Sequence, residues 1–361
     1  MRHRFARTLI ATAVTIGIVV GLSSCGTPSA VSSTSTLPST TTTLPEPSVV
    51  LATTATGAVA FEGRVSRVAV APLANGKDVL PSRAATQHVL TGTVKIAFRQ
   101  FGSGPNLVLA MGEHGSMSWW DPKFLQELAA NYRVTIFDDP DVGYSAKTPR
   151  APSVETDGDV LAGLIASLGL TNATVLGWGM GGQVALSLAE RHAGLVIGLV
   201  LVDTNPGGPG EKSPTKSSAT IFGSPRVTMQ QLASVMFPET SDGTAAKNAW
   251  IADIALLAPD DVISTVLSGQ ADAERAFLRD DRVARLLTTI SLPTLILQGA
   301  DDTLVPEQNA ELIHRQIKGS QLIIDPNSGY ASLFQDEFNF LKALSTFAQS
   351  VNMTTTTTTS P

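Results

Sequence analysis

The chain has 361 residues, 43% of them hydrophobic and 16% charged, and a formal net charge of -6. That length is enough for one large core or two smaller ones, and with no basic run after the N-terminus the charge pattern predicts no nucleic-acid partner. The single cysteine, Cys25, excludes an intramolecular disulfide framework and a cysteine-based zinc site.

The N-terminus is an address. Arg2, Arg4 and Arg7 form a positive n-region, and Leu9 to Leu22 is an apolar run suited to a signal h-region and short for a membrane span. Leu22-Ser23-Ser24-Cys25 then resembles a bacterial lipobox. That resemblance implies diacylglyceryl transfer to the Cys25 thiol and cleavage before it, leaving the mature chain exported and held at the extracytoplasmic membrane face. An ordinary signal peptide or a single-span anchor is the alternative. Residues 1–24 are therefore read as a lipoprotein signal peptide.

Ser32 to Pro47 is almost entirely Ser, Thr and Pro, so residues 25–50 read as an extended tether that cannot bury enough apolar surface to fold. Residues 51–88 read as a partly ordered lead-in, and the threonine run near the C-terminus makes 351–361 a disordered tail.

From residue 89 the pattern becomes regular. Gly92 to Phe101 alternates like a half-exposed strand, and Leu107 to Met111 is a short apolar run like a strand covered on both faces. Phe124 to Ala130 is predicted helical, Arg133 to Phe137 a strand, Val154 to Leu168 a helix and Ala173 to Leu176 a strand. Gln183 to Arg191 is predicted as a helix and Val196 to Val202 as a strand. Pro293 to Gln298, Pro306 to Ile317, Gln321 to Ile324 and Ser332 to Gln349 continue as strand, helix, strand, helix. Between them, residues 204–290 break the rhythm with Gly and Pro and then helical segments, Met229 to Met236, Ala245 to Leu257 and Ala273 to Leu287, and read as an inserted cap. The alternation predicts an α/β fold, a mostly parallel, doubly wound sheet with that helical cap.

Five segments in order resemble the α/β-hydrolase superfamily, and in particular its capped members similar to haloperoxidases and epoxide hydrolases. Leu107-Val-Leu-Ala-Met-Gly112 stands where the family has a strand ending before the oxyanion loop. Asp138-Asp-Pro-Asp-Val-Gly-Tyr-Ser145 resembles the family's Asp-x-x-Gly-x-Gly-x-Ser turn. Val175 to Gly182 resembles the nucleophile elbow, Leu295 to Asp302 with Val305-Pro306 the segment presenting the acid, and Pro326 to Tyr330 the histidine loop. The domain so defined covers residues 89–350.

The resemblance carries the fold further than the chemistry. Gly179 occupies the nucleophile position of Gly177-Trp178-Gly179-Met180-Gly181, and glycine forms no acyl-enzyme. Tyr330 stands at the general-base position, and Met111 replaces the histidine that precedes the oxyanion loop. Asp302 matches the acid position, where a hydrogen bond from Tyr330 would make a structural pair; Asp203 reads as a turn residue, with a role as substitute acid as the alternative. By resemblance the oxyanion-hole donors are the backbone amides of Glu113 and Met180, and the Glu113 carboxylate there would repel an anionic ligand. His114, with Glu113, Ser116 and Ser118 nearby, is an alternative acid–base set; a solvated loop is the other account. Trp119, Trp120, Trp178, Met180 and Tyr144 are expected either to wall an apolar ligand pocket or to pack in the core. No metal-ligand spacing or nucleotide-binding motif is present, and no cofactor is implied. The expectation is a catalytically inactive hydrolase-fold protein binding a small apolar ligand or an envelope partner. An active hydrolase with an unorthodox centre and a purely structural role are the alternatives.

Overall fold

The computed structural model describes residues 84–224, 226–255 and 264–358. The signal segment, Cys25, the tether and nearly all of the lead-in lie outside them. Eight strands form one sheet: β1 (Gln87–Thr91), β2 (Val94–Phe101), β3 (Asn106–Ala110), β4 (Arg133–Phe137), β5 (Ala173–Trp178), β6 (Val196–Val202), β7 (Thr294–Gly299) and β8 (Gln321–Asp325), in the order β1-β2-β4-β3-β5-β6-β7-β8. β2 runs antiparallel to β1 and β4, and the pairs from β4 onward are parallel.

The central strands have the sequences that burial on both faces requires. β5 (ATVLGW) and β7 (TLILQG) are buried at every position, and β6 (VIGLVLV) at all but one. The outermost strands carry exposed side chains, Leu90 on β1 and Ile323 on β8. Helices cover both faces. One core joins the sheet to α1 (Pro122–Ala129) and α11 (Glu337–Thr358) through residues such as Phe124, Leu128, Leu344 and Phe347. The other joins it to α2 (Val154–Ser167), α3 (Met180–His192) and α9 (Glu307–Gln316) through Leu161, Ile165, Val184, Leu188 and Ile313.

Local chemistry sets several helix starts. The Asp121 carboxylate accepts from the amides of Lys123 and Phe124 ahead of Pro122, and Ser153 accepts from Thr156. The cap between β6 and β7 consists of α4 (Lys216–Phe222), α5 (Met229–Met236), α6 (Ser241–Ala255), α7 (Ser264–Leu278) and α8 (Asp281–Leu287). Thr228 and Gln231 form a capping box at the start of α5.

Four expectations need correction. The ordered domain starts before residue 89, because β1 pairs with β2 from Gln87. Its partner strand supplies the hydrogen bonds that a five-residue mixed-polarity stretch does not advertise. The C-terminal helix continues to Thr358, past the predicted boundary of the tail. Ala273 to Leu287, read as one helix, is two, because the Asp280 carboxylate caps a new helix by accepting from Arg282 N. Ser332 to Gln349, read as one helix, is also two, α10 (Ser332–Gln335) and α11, with Asp336 between them. The short α4 was not anticipated.

Candidate active site

β4 and β5 lie on opposite sides of β3, so the connections leaving β3 and β5 diverge at the C-terminal edge of the sheet. A crevice forms where parallel strands switch direction in this way. The loop after β3 carries Gly112 to Trp120, and the turn after β5 carries Gly179.

Gly179 has φ 56° and ψ -120° and precedes the first residue of α3. This is the tight strand-to-helix turn on which a nucleophile stands, and glycine holds it without the strain of about 1–3 kcal/mol that another residue bears. Gly181 lets α3 approach β3: a Cβ there would lie 2.2 Å from Ala110 O. The amide of Met180, the first in α3, has no acceptor within the helix and points out of its N-terminus.

The volume in front of Gly179 belongs to Tyr330. A Cβ on Gly179 would stand 1.8 Å from Tyr330 Oη and 2.9 Å from its Cζ. One on Gly112 would stand 3.3 Å from the same hydroxyl. The phenol therefore lies between the elbow and the end of the oxyanion strand. It is held there: Trp178 Nε1 donates to Tyr330 O at 2.8 Å, and the Trp178 ring packs against the phenol ring at 5.3 Å. Burial, reinforced by the surrounding carboxyls, holds the phenol well above the ordinary tyrosine range, so it stays protonated at neutral pH.

Asp302 lies in the turn after β7, but its hydrogen bonds are not to Tyr330. Its Oδ1 accepts from Leu304 N at 2.7 Å and Val305 N at 2.8 Å, and its Oδ2 from Gln298 Nε2 at 3.2 Å. Burial outweighs these bonds and pushes its carboxyl up to about 7. The expected Tyr330–Asp302 pair is thus replaced by a turn built on backbone amides. Asp203 is fully buried and is the turn residue expected: Oδ1 accepts from Gly299 N at 3.0 Å, and Oδ2 from Ser332 Oγ at 2.8 Å. Asp138 is likewise structural, accepting from Met117 N at 2.7 Å and Tyr144 N at 2.9 Å, which ties the oxyanion loop to the turn after β4.

The histidines other than His114 lie elsewhere among the described residues. His88 Nε2 meets Tyr144 O, His192 meets Asp159 at 2.8 Å, and His314 meets Ser320 at 2.9 Å. His114 is buried, with φ 72°, and its ring packs edge-on to Phe222 of α4 at 4.6 Å. Phe222 in turn packs against Tyr330 at 5.8 Å. His114 Nε2 lies 3.8 Å from Glu113 Oε1, and burial lowers its imidazole to about 4. The loop is therefore not solvated. Ser116 does not join the His114 set; its side chain caps a short turn by accepting from Ser118 N at 3.3 Å.

Two side chains of α7 complete this region, and both were missed in the sequence. Glu113 shares a hydrogen bond with Glu274, and burial beside that second carboxyl raises Glu113 well above the usual range. Burial raises the Glu274 carboxyl as well, so the two buried carboxyls compete for protons within one hydrogen-bonded pair. Gln183 Nε2 donates to Glu274 Oε1 at 3.1 Å, and Asn205 also bonds to Glu274. Gln270 Oε1 accepts from His114 N at 3.4 Å. The spacing of Gln270 and Glu274, one turn apart and so on one face of α7, was the available signal.

Of the aromatic side chains expected at the cleft, all but one are core. Trp119, Trp120 and Trp178 are buried in a cluster with Phe124, Phe334 and Trp250 of α6. Met180 is buried in the opposite core. Tyr144, expected near the cleft, is 50% exposed, with its ring beside Arg99 on β2. The glycine before it closes the turn onto Asp138 and sends the tyrosine outward.

Residues 105–337 match the family described as alpha/beta hydrolase fold. The chain belongs to that family. Among hydrolase-fold relatives, it is 25% identical over 265 residues to the pimeloyl-(acyl-carrier protein) methyl ester esterase of Aeromonas hydrophila subsp. hydrophila, covering 70% of this chain and 99% of that protein. The esterase RhEst1 of Rhodococcus sp. ECU1013 superposes with a TM-score of 0.62 at 26% identity, over 74% of this chain and 99% of that one. A thermophilic esterase of Thermogutta terrifontis superposes with a TM-score of 0.60 at 25% identity, over 74% and 99% of the two chains. The hydrolase fold is thus present over residues 105–337, which include both Gly179 and Tyr330.

Proposed function

We propose that this hydrolase-fold protein is lipid-anchored at the cell envelope through Cys25, binds a small ligand or an envelope partner at the cleft, and does not hydrolyse esters. One observation carries the reading: the Tyr330 hydroxyl fills the space that a nucleophile's side chain at position 179 would occupy. No attacking oxygen stands on the elbow, and the group facing it is a protonated phenol, a poor proton acceptor at neutral pH. The expected results are no covalent labelling of the full-length protein by a fluorophosphonate and no turnover of short-chain aryl esters. Replacing Gly179→Ser together with Tyr330→His clears the space and supplies nucleophile and base. Ester turnover in that double variant, absent in the parent, would show that the backbone donors and Asp302 are still arranged for the reaction.

A second reading, hydrolysis through an unorthodox centre, is favoured by the Glu113–His114 approach at 3.8 Å inside the same crevice. It requires turnover by the parent chain that disappears in His114→Asn.

A further inference from the structure

We propose that the buried Glu113–Glu274 pair, together with the unpartnered acceptor atoms of Gln183 and His114, is a binding site for a protonated primary amine. The inference rests on the reading of the cleft as a binding site and names its ligand class.

The argument is an account of donors and acceptors. Gln183 is fully buried and spends Nε2 on Glu274, which leaves its Oε1 as a buried acceptor with no hydrogen-bond donor. His114 is neutral at physiological pH and bonds to the backbone of Phe222 through one ring nitrogen, so its other, Nε2, presents a lone pair. That nitrogen is buried, has no hydrogen-bond partner and faces Glu113 Oε1 at 3.8 Å. Buried polar atoms without partners are uncommon in folded proteins and costly, about 1–3 kcal/mol each. Both orphans here are acceptors: Gln183 holds Glu274 through its other amide atom, and His114 Nε2 faces Glu113.

Charge points the same way. Burial favours the protonated form of both Glu113 and Glu274, and a cation seated beside them would favour the ionised form of one. Arg275 on the same helix is exposed and pairs with Asp272, and its charge also favours the ionised form of both carboxyls. A primary ammonium brings one positive charge and three N–H donors, which match one carboxylate of the pair and the two orphan acceptors. The Phe222 ring against His114, and the Tyr330 ring behind it, add aromatic surface that attracts a cation. A carboxylate ligand has the wrong charge, and a quaternary ammonium has the charge without the donors.

The test uses detergent-solubilised full-length protein at neutral pH, with n-butylammonium, tetramethylammonium and butyrate as probes, followed by calorimetry and thermal unfolding. Saturable binding and a raised Tm are expected with n-butylammonium alone. Glu274→Gln and Gln183→Leu should each weaken that binding about tenfold or more. An equal response to tetramethylammonium, which would mark a salt effect, overturns the proposal. So does the absence of n-butylammonium binding to the parent protein, a readout that needs no variant to fold. Fluorophosphonate labelling separates the two inferences: a protein that neither labels nor binds the amine loses only the ligand class, whereas labelling removes the non-hydrolytic reading itself.

Discussion

Gly179 and Tyr330 act as one unit. A methyl group at 179 meets the phenol oxygen at 1.8 Å, and the phenol is pinned by Trp178 and Phe222, so it has little freedom to withdraw. Gly179→Ala should therefore cost about 2–4 kcal/mol, combining backbone strain with overpacking. The cost should fall when Tyr330→Ala opens the space, with a coupling of at least about 1 kcal/mol in a double-mutant cycle read by urea unfolding. His114 predicts a pH dependence. Its folded-state value of about 4 lies below the ordinary 6.5, so between these the unfolded chain binds more protons than the folded one. Stability from this residue is complete above that window and is lost as pH falls through it. His114→Asn tolerates the positive φ and removes the titration. The stability difference between parent and variant should shift against the parent by on the order of 2–3 kcal/mol across the window, measured by denaturation at each pH.

At the scale of elements, the cap is fastened to the core at two places of different chemistry. α6 inserts Trp250 among Trp119, Phe237 and Phe334, with ring centroids 5.8 to 6.1 Å apart. α7 brings Glu274 and Gln270 onto the oxyanion loop and α3. Trp250→Ala should destabilise by about 3–5 kcal/mol and raise amide exchange first in α6 and in the loop after β3, which hydrogen–deuterium exchange would detect. If exchange rose equally across β5 and β6, the cap would be an integral part of the core rather than a layer on it. The strands and helices of the central sheet were legible in the sequence because their periodicity is set by burial: Arg133–Phe137 and Val196–Val202 match to the residue. β1 and α4 were not, because each is short and stabilised by a neighbour rather than by its own pattern.

At the scale of the whole molecule, the described residues form a hydrolase-fold body, and among them no helix is long and apolar enough to cross a membrane. Attachment to the envelope is proposed through Cys25, which precedes the described residues. Cys25→Ser should move the protein from the membrane fraction to the soluble fraction or leave it as an unprocessed precursor, checked by fractionation and intact mass. Retention in the membrane with the normal mass would reject a lipid anchor at this position.

The sequence by itself determined the fold class, the order of the motifs and the absence of serine and histidine from positions 179 and 330, because each of these is carried by local spacing along the chain. Only the tertiary structure decided that the Tyr330 hydroxyl fills the space in front of the elbow, that Asp302 spends its carboxylate on a turn, and that Glu113 meets Glu274 of the cap. The reason is physical. Such contacts join segments distant in the chain, and which side chains compete for one buried volume or one proton depends on how the layers pack, not on any period within a single segment.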